Sequence, residues 1–347
     1  MKAIQVIPLQ ANSLHIADVP EPIKQPNETL VKTKAVGICG TDLEIAAGKY
    51  GWAPALKQSL IIGHEAIGQI IEDVPGYDLK KNDWVVPIVR QPDPEPCYSC
   101  ANEQWDMCKN GRYKEHGIKE LDGFMSELFC IDPKFLVKVD QNLKELNVLL
   151  EPTSVVAKAW EQVELIGNRA LWQPKKACIT GAGPIGLLAA MIGIQKGLEV
   201  NVVDIIDKGL KPTIVKELGA TYYCDDLEQA AKGVDCIIEC SGAPQIVLKA
   251  LELVGPSGVV CLTGVSSGGI SLSLDAGDLN RYIVLENEAI VGSVNANKKH
   301  YGQASEYLSK ADPNWLEQLI TRRVKPANFK EAFEHSHDDV KVIIDFA

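Results

Sequence analysis

A glycine-rich turn between an apolar strand and an apolar helix constrains the fold of this chain more than any other segment. The run Lys175–Thr180 predicts a short buried strand, and Leu187–Lys196 predicts a helix that ends at Gly197. The turn between them consists of Gly181, Ala182, Gly183, Pro184, Ile185 and Gly186. The first glycine permits a tight turn, the second lets backbone N–H groups approach a pyrophosphate, and the third lets the helix pack close to the strand. The sequence therefore predicts a dinucleotide site at the N-terminus of this helix.

An acidic residue after the next strand bears on which dinucleotide binds. The run Val200–Val203 predicts a strand, and Asp204 follows it, 18 residues beyond Gly186. This spacing is close to the roughly 20 residues expected for the acid that binds the adenosine ribose. A carboxylate there accepts a hydrogen bond from a 2′-hydroxyl and repels a 2′-phosphate, and no arginine occurs at residues 205–208. We therefore predict NAD in preference to NADP.

The pattern of the chain changes near residue 152. Before it, strand-like segments are short and broken by Pro and Gly, as at Thr29–Val36, Ala66–Ile71 and Trp84–Val89. After it, strands are predicted at Ala220–Cys224, Val234–Cys240, Val259–Thr263 and Ala289–Gly292, with helices between them at Lys211–Leu218 and Gln245–Val254. We predict an α/β protein with a β-rich domain at residues 1–152 and a doubly wound Rossmann domain of six parallel strands at residues 153–297.

Composition excludes several classes of partner. The chain has 347 residues, of which 46% are hydrophobic and 23% charged, as in a globular enzyme. A net charge of −11 disfavours nucleic acid and anionic membranes as partners, because the overall field repels phosphate polymers. The first residues show no cationic stretch leading into a long apolar run, so a cytoplasmic location is expected. The ten cysteines are accordingly predicted to be thiols and metal ligands rather than disulfides.

Possible metal ligands stand in two glycine-flanked segments. Cys39 begins the sequence Cys-Gly-Thr-Asp, and His64 and Glu65 follow Gly63. Turns of this kind hold side chains rigidly and aim them into a cleft. With the Asn-Asp-Trp-Val-Val segment at 82–86 and the glycine-rich turn, these elements resemble the zinc-containing medium-chain dehydrogenase/reductase family over nearly the whole chain. The resemblance implies a GroES-like catalytic domain at residues 1–152 that is completed by residues 298–347, a Rossmann domain at residues 153–297, and catalytic zinc.

Within that family the chain is similar to the archaeal-type glucose dehydrogenases. The similarity lies in residues 114–118, 122–125, 150–152, 282–284 and 292–296. It implies that zinc is held by Cys39, His64, Glu65 and Glu151, and that Thr41 relays a proton from the reacting hydroxyl. It also implies that Glu115, Glu151 and Asn295 touch sugar hydroxyls. The alternative for Glu115 is a solvated loop acid. Further cofactor contacts are expected at the strand ends Thr263, Gly264, Val265, Ser293, Val294 and Asn295.

A second metal is suggested by Cys97, Cys100 and Cys108. The family's structural zinc lobe carries four cysteines, and this chain keeps the spacing of the last three. Pro94 stands where the first would be, and it cannot bind a metal. Asp93 or Glu95 could complete a tetrahedron, since zinc accepts carboxylate alongside thiolate. Three reduced thiols in an ordered loop are the alternative.

The resemblance implies a reaction and leaves its substrate open. The expected activity is oxidation of the anomeric hydroxyl of an aldose to a lactone, with zinc as Lewis acid and hydride transfer to the nicotinamide. A polyol, a secondary alcohol or threonine is the alternative substrate. A different class, a nicotinamide-binding protein without catalysis, would have no reason to keep Cys39, His64, Glu65 and Glu151 together. A homodimer or homotetramer is expected from the family.

Overall fold

The strands and helices form close to where the apolar patterns predict them. This is a computed structural model, and it describes residues 1–266, 268–334, 336 and 338–347. The strands are β1 Lys2–Val6, β2 His15–Asp18, β3 Thr29–Gly37, β4 Leu60–Ile61, β5 Glu65–Ile70, β6 Trp84–Pro87, β7 Arg90–Gln91, β8 Lys114–His116, β9 Glu120–Leu121, β10 Leu128–Ile131, β11 Leu136–Lys138, β12 Lys176–Thr180, β13 Glu199–Asp204, β14 Thr221–Cys224, β15 Cys236–Glu239, β16 Val259–Leu262, β17 Ala289–Gly292, β18 Ile320–Val324 and β19 Lys341–Asp345. The α-helices are α1 Gly40–Ala46, α2 Tyr98–Ala101, α3 Leu150–Gly167, α4 Pro184–Gln195, α5 Leu210–Glu217, α6 Leu227–Ala230, α7 Pro244–Leu253, α8 Ala276–Leu285, α9 Lys298–Ser309, α10 Pro313–Leu319 and α11 Phe329–Ala332.

The chain divides into two compact units, Met1–Glu151 with Ala296–Ala347 and Pro152–Asn295. The first unit is built around a seven-stranded sheet in the order β11-β6-β5-β3-β19-β18, with β10 also paired to β3. Strand β3 is central, and its partners β5 and β19 meet at one residue, because Gly37 pairs with Glu65 on one side and with Ile343 on the other. Residues from the two distant parts of the chain therefore share one sheet.

Two small sheets complete the strands of the first unit. One has the order β2-β1-β4, and the other has the order β7-β8-β9. In the second of these, Arg90 of β7 pairs antiparallel with Glu115 of β8. Opposed residues of an antiparallel pair carry their side chains on the same face, so this register brings a cation and a carboxylate together.

The second unit holds a six-stranded parallel sheet in the order β14-β13-β12-β15-β16-β17. This is the doubly wound order: β13 and β14 are added on one side of β12, and β15, β16 and β17 are added on the other side. The strands β12, β15 and β16 are buried runs rich in aliphatic residues and cysteine, as expected when helices cover both faces of a parallel sheet. Cys178, Cys236 and Cys261 are fully buried among them. The predicted Rossmann sheet of six parallel strands is confirmed.

The element boundaries differ from the predictions mainly at helix starts. Helix α4 begins at Pro184 rather than Leu187, because proline is well suited to the first helical position, where no N–H is needed. Strand β15 begins at Cys236, two residues later than predicted. Among the described residues, none of the helices is both long enough and apolar enough to cross a membrane.

Candidate active site

Three possible metal ligands converge in the first unit. A thiol sulfur of Cys39, a ring nitrogen of His64 and a carboxylate oxygen of Glu65 all lie within 4.8 Å of one another. The pairing of β3 with β5 explains this, because Cys39 caps helix α1 just after β3, while His64 and Glu65 lie at the start of β5. All three side chains are buried or half-buried. The sequence prediction placed these residues together, and the structure brings them together.

Asp42 holds two of these residues in place. Its Oδ2 accepts a hydrogen bond from the backbone N–H of Cys39 at 3.0 Å, and its Oδ1 lies 3.3 Å from Nδ1 of His64. Burial by itself lowers the pKa of His64, but the nearby Asp42 carboxylate and Cys39 outweigh burial and raise this pKa well above its usual value. A carboxylate at Nδ1 orients the ring so that Nε2 is the nitrogen available to a metal. No role for Asp42 was predicted from the sequence.

The carboxylate of Glu65 has a cationic neighbour that the sequence analysis missed. Lys341 of β19 is fully buried, and its Nζ donates to Oε2 of Glu65 at 2.5 Å and to the carbonyl oxygen of Ile38 at 3.1 Å. Burial disfavours the charged lysine, but the Glu65 carboxylate outweighs it and raises the pKa of Lys341. Gly37 leaves room for this pair, since an added Cβ there would lie 2.2 Å from Oε2 of Glu65. Glu65 is therefore shared between a possible metal and an ammonium group.

Glu151 interacts electrostatically with His64 and Glu65, but it does not belong to the group of Cys39, His64 and Glu65 whose ligand atoms lie within 4.8 Å of one another. It is the second residue of α3 and is buried, and burial raises the pKa of its carboxyl to about 7. His64 and Lys341 act in the opposite direction, whereas Glu65 raises this pKa further. The four side chains therefore interact electrostatically. Thr41, at the start of α1, has its backbone N–H 3.4 Å from the Cys39 sulfur.

The donor set fits zinc. Thiolate, imidazole and carboxylate are the ligands that zinc takes in proteins, and donors around a tetrahedral zinc lie about 3.3 to 3.8 Å apart. The spacing of Cys39, His64 and Glu65 within 4.8 Å needs only small side-chain shifts to reach that geometry. A carboxylate next to the second ring nitrogen of a histidine commonly supports a metal-bound imidazole, and Asp42 occupies this position at His64.

Glu115 is not a solvated loop acid. It lies in β8, is 6% exposed, and its Oε1 accepts from Nε of Arg90 at 3.0 Å. The Arg90 guanidinium is equally buried, donates to the carbonyl oxygen of Asp106 at 3.2 Å and stacks 3.7 Å from the ring centre of Tyr113. The side chain of Asn297 donates to Oδ1 of Asp106 at 2.9 Å. Glu115 therefore belongs to a buried polar network, in which Arg90 holds its carboxylate.

The three cysteines of the loop region also converge. The sulfur atoms of Cys97, Cys100 and Cys108 lie within 4.8 Å of one another. Backbone N–H groups of Cys100 and Lys109 lower the pKa of Cys97 to about 6, while burial raises the pKa of Cys100 to about 11. Three clustered thiols, one of them readily ionised, fit a zinc ion.

The carboxylates expected to complete that site have other partners. Asp93 is buried, and its carboxylate accepts from Glu95 N at 2.9 Å, from Asn110 Nδ2 at 2.8 Å and from Arg112 Nε at 3.2 Å. Glu95 is exposed, and its Oε2 accepts from Arg112 at 2.9 Å. In the described part of the chain, neither carboxylate joins the group of three thiols. A fourth ligand from either residue would require these contacts to rearrange.

The glycine-rich turn has the geometry that a pyrophosphate needs. Gly181 has φ +84°, and an added Cβ at Gly186 would lie 1.8 Å from the carbonyl oxygen of Gly181. Gly183 caps helix α4, and a Cβ added there would meet no described atom within 4 Å beyond its immediate neighbours along the chain, so the backbone is open to a ligand. Pro184 and Ile185 are the first residues of the helix.

Asp204 lies beside this turn. Its Oδ2 accepts from Ala182 N at 2.6 Å, and Oδ1 accepts from Ile206 N at 3.2 Å. The sequence analysis missed Lys211, whose Nζ lies 3.9 Å from Oδ2 of Asp204. No arginine follows Asp204 at residues 205–208, but the Lys211 ammonium lies close to its carboxylate.

The remaining predicted cofactor residues lie at the carboxyl ends of β16 and β17. Thr263 donates from Oγ1 to the carbonyl oxygen of Glu239 at 2.7 Å, and Ser293 N donates to the carbonyl oxygen of Leu262 at 2.9 Å. Parallel strands end at the same edge of their sheet, so both segments lie at the edge where nucleotides bind in this fold. They comprise Thr263, Gly264, Val265, Ser293, Val294 and Asn295.

Known proteins are similar to this chain in both sequence and fold. The family model for the GroES-like domain of alcohol dehydrogenases matches residues 25–141, and the model for the C-terminus of glucose dehydrogenase matches residues 144–346. Glucose 1-dehydrogenase 2 of Vulcanisaeta moutnovskia is 41% identical and glucose 1-dehydrogenase of Methanocella arvoryzae is 38% identical, each match covering 99% of this chain and 99% of the relative. The structure of Haloferax mediterranei glucose dehydrogenase in complex with NADP, Zn and gluconolactone is 33% identical, with a TM-score of 0.92 over 100% of this chain and 99% of that one.

The two matched models together span most of both structural units, and the relatives match from end to end. The GroES-like and Rossmann fold class predicted from the sequence is confirmed. The chain therefore belongs to the zinc-containing medium-chain dehydrogenase/reductase family, close to the archaeal glucose dehydrogenases.

Proposed function

We propose that this chain is a zinc-dependent aldose 1-dehydrogenase, which oxidises the C1 hydroxyl of a glucose-like sugar to the lactone and transfers hydride to a nicotinamide cofactor. The observation that carries this proposal is the convergence of Cys39, His64 and Glu65 within 4.8 Å. Membership in a family whose relatives include glucose dehydrogenases supports the choice of sugar. A zinc ion bound by these residues and Glu151 would supply Lewis-acid chemistry that lowers the pKa of the substrate hydroxyl.

The protein residues divide the remaining tasks. Asp42 orients His64, and the Asp42–Cys39 hydrogen bond fixes the turn that carries the thiolate. Thr41 accepts the proton that leaves the substrate hydroxyl and passes it outward. The Lys341 ammonium neutralises Glu65 whenever this carboxylate is not a ligand. Carboxylate and amide side chains suit a sugar, because they hydrogen-bond to several hydroxyls at once. Glu115, Glu151 and Asn295 are the proposed sugar contacts.

We further propose NAD as the preferred cofactor. The carboxylate of Asp204 lies beside the glycine-rich turn, at the strand end where the adenosine ribose binds. Lys211 partly offsets its charge, so we expect a preference rather than an exclusion of NADP. The cysteine lobe is proposed to hold a structural zinc through Cys97, Cys100 and Cys108, with Asp93 or Glu95 as the oxygen ligand. A homodimer or homotetramer and a cytoplasmic location remain predictions.

A substrate panel tests the proposed activity. Initial rates on glucose, another aldose, a polyol, a secondary alcohol and threonine, each with NAD and with NADP, should give the highest kcat/KM for an aldose and a lactone as product. Cys39→Ser should lose zinc and nearly all turnover but still bind NAD, while Cys130→Ser, a cysteine on β10, should match the wild type. A polyol or threonine as the best substrate would replace the aldose assignment. Full turnover of Cys39→Ser would exclude the zinc site proposed here.

A further inference from the structure

A buried lysine in the second unit holds the segment that follows β17. Lys158 lies in α3 and is 2% exposed, and its Nζ donates to the carbonyl oxygen of Val294 at 3.0 Å. Withdrawing an ammonium group from water costs free energy unless hydrogen bonds compensate. The Val294 carbonyl is one of the groups that Lys158 contacts, so the buried ammonium helps to hold this short segment.

The segment itself is irregular. Ser293 is 7% exposed, and within the described part of the chain its Oγ has no hydrogen-bond partner. Asn295 has φ +61°, a left-handed conformation that is uncommon for residues other than glycine. Val294, between them, is 57% exposed. Such a segment persists only when surrounding contacts fix its backbone. Lys158 supplies one of these contacts.

The hydrogen bond fixes a peptide plane. In a trans peptide the carbonyl and the following N–H point in opposite directions. With Val294 O directed to the buried ammonium, the N–H of Asn295 points away from Lys158. Lys158 thus controls the direction of the Asn295 N–H at the strand end proposed to meet the nicotinamide.

We propose that Lys158 is a positioning residue for the nicotinamide half of the cofactor, acting through the Val294 peptide. This rests on the proposed function, since it takes Ser293, Val294 and Asn295 as the nicotinamide-contacting segment. The same proposed function assigns the adenosine half to a different part of the unit, the turn at Gly181–Gly186 and Asp204, which lie beside each other. The two halves of the cofactor should therefore respond differently to the loss of Lys158.

The experiment compares a complete cofactor with one that lacks nicotinamide. Binding of NADH and of ADP-ribose is measured by calorimetry on the full chain, as wild type and as Lys158→Met, which keeps an unbranched apolar chain of similar shape and removes the terminal amino group with its donors. We expect NADH to bind roughly tenfold more weakly to the variant, with ADP-ribose changed by less than about twofold. NADPH and 2′-phospho-ADP-ribose serve in the same way if the wild type prefers them. Lys158→Arg, which keeps a charged donor, should recover part of the NADH affinity.

A matched control and a second variant keep the test decisive. Lys232→Met changes an exposed lysine of the same unit and should leave both affinities unchanged. Lys158→Gln, which keeps an N–H donor, replaces Lys158→Met if the latter does not fold, with a smaller but still nicotinamide-selective loss. Equal losses for NADH and ADP-ribose, or no loss for either, would overturn the proposal. A wild type that binds ADP-ribose but gains nothing from nicotinamide would overturn it too, and a wild type that binds neither would refute the proposed cofactor site itself.

Discussion

Oδ1 of Asp42 lies 3.3 Å from Nδ1 of His64, and the other oxygen of the same carboxylate accepts from the backbone of Cys39. One fully buried acid thus fixes both a nitrogen and a sulfur ligand of the proposed zinc site. Cys39 follows β3 and His64 precedes β5, so the relative position of the two ligands depends on this acid as well as on the sheet. Removing its charge should disturb the site without removing a ligand.

The first prediction concerns Asp42. Asp42→Asn should lower zinc affinity or kcat by about 10- to 100-fold, because residues that orient metal ligands typically contribute this much. Zinc per chain, measured by mass spectrometry after dialysis against a weak chelator, and kcat on glucose would show it. Asp132→Asn is the matched control, since Asp132 also accepts from a backbone N–H at a helix start, in this case Lys134 N. Equal effects of the two substitutions would mean that capping alone explains the role of Asp42.

The second prediction separates sugar binding from stability at the Arg90–Glu115 pair. Breaking a buried ion pair from either side leaves an unpaired charge and typically costs about 3 to 5 kcal/mol. Glu115→Gln and Arg90→Gln should therefore both lower the melting temperature. Only Glu115→Gln should in addition reduce kcat/KM for aldoses more than for a simple alcohol.

The comparison of the two variants decides the role of Glu115. Steady-state kinetics should be measured below the melting temperature of both. If both variants impair aldoses and simple alcohols alike, Glu115 is a structural partner of Arg90 and the sugar contact lies elsewhere.

The third prediction concerns the cysteine lobe. Metal analysis of the wild type should give about two zincs per chain, and Cys100→Ser should remove one while lowering thermal stability more than turnover, because a structural zinc contributes to folding. Cys178→Ser, in the core of the second unit, should keep both zincs. Asp93→Asn should weaken the second zinc if this carboxylate leaves Asn110 and Arg112 to bind it. One zinc in the wild type would leave the three cysteines as ordinary thiols.

The fourth prediction concerns the choice of cofactor. Asp204→Asn combined with Ile205→Arg should raise kcat/KM with NADP and lower it with NAD, because the change removes a charge that repels the 2′-phosphate and adds one that attracts it. Ile205 is 74% exposed, so an arginine there has room to reach a ligand. Ile205→Arg alone is the control and should give a smaller shift. A wild type whose kcat/KM with NADP equals or exceeds its kcat/KM with NAD would contradict the assigned role of Asp204.

The sequence predicted what depends on local patterns. The turn at Gly181–Gly186 lies within one strand–helix unit, so its glycines, its flanking elements and the following Asp204 could all be identified from spacing. Cys39 and His64 could be paired because each lies in a characteristic glycine-flanked motif. The six parallel strands followed from the alternation of apolar runs with helical segments.

The sequence could not predict contacts set by tertiary pairing. Arg90 lies 25 residues before Glu115, and only the β7–β8 register shows that they form a pair. This register is also why a residue predicted in a loop lies in a buried strand. Lys158 and its partner Val294 are 136 residues apart, and neither belongs to a motif. Asp42 was visible in its motif, but its double role depends on where β5 places His64.

The pairing of β19 with β3 has a consequence for the order of events during protein synthesis. Lys341 follows Glu65 by 276 residues, and the whole of the second unit is encoded between them. While the ribosome is still translating that stretch, Cys39, His64 and Glu65 already exist in the nascent chain and Glu65 has no ammonium to share. The ion pair between Lys341 and Glu65 can therefore form only after the whole of the second unit has been synthesised.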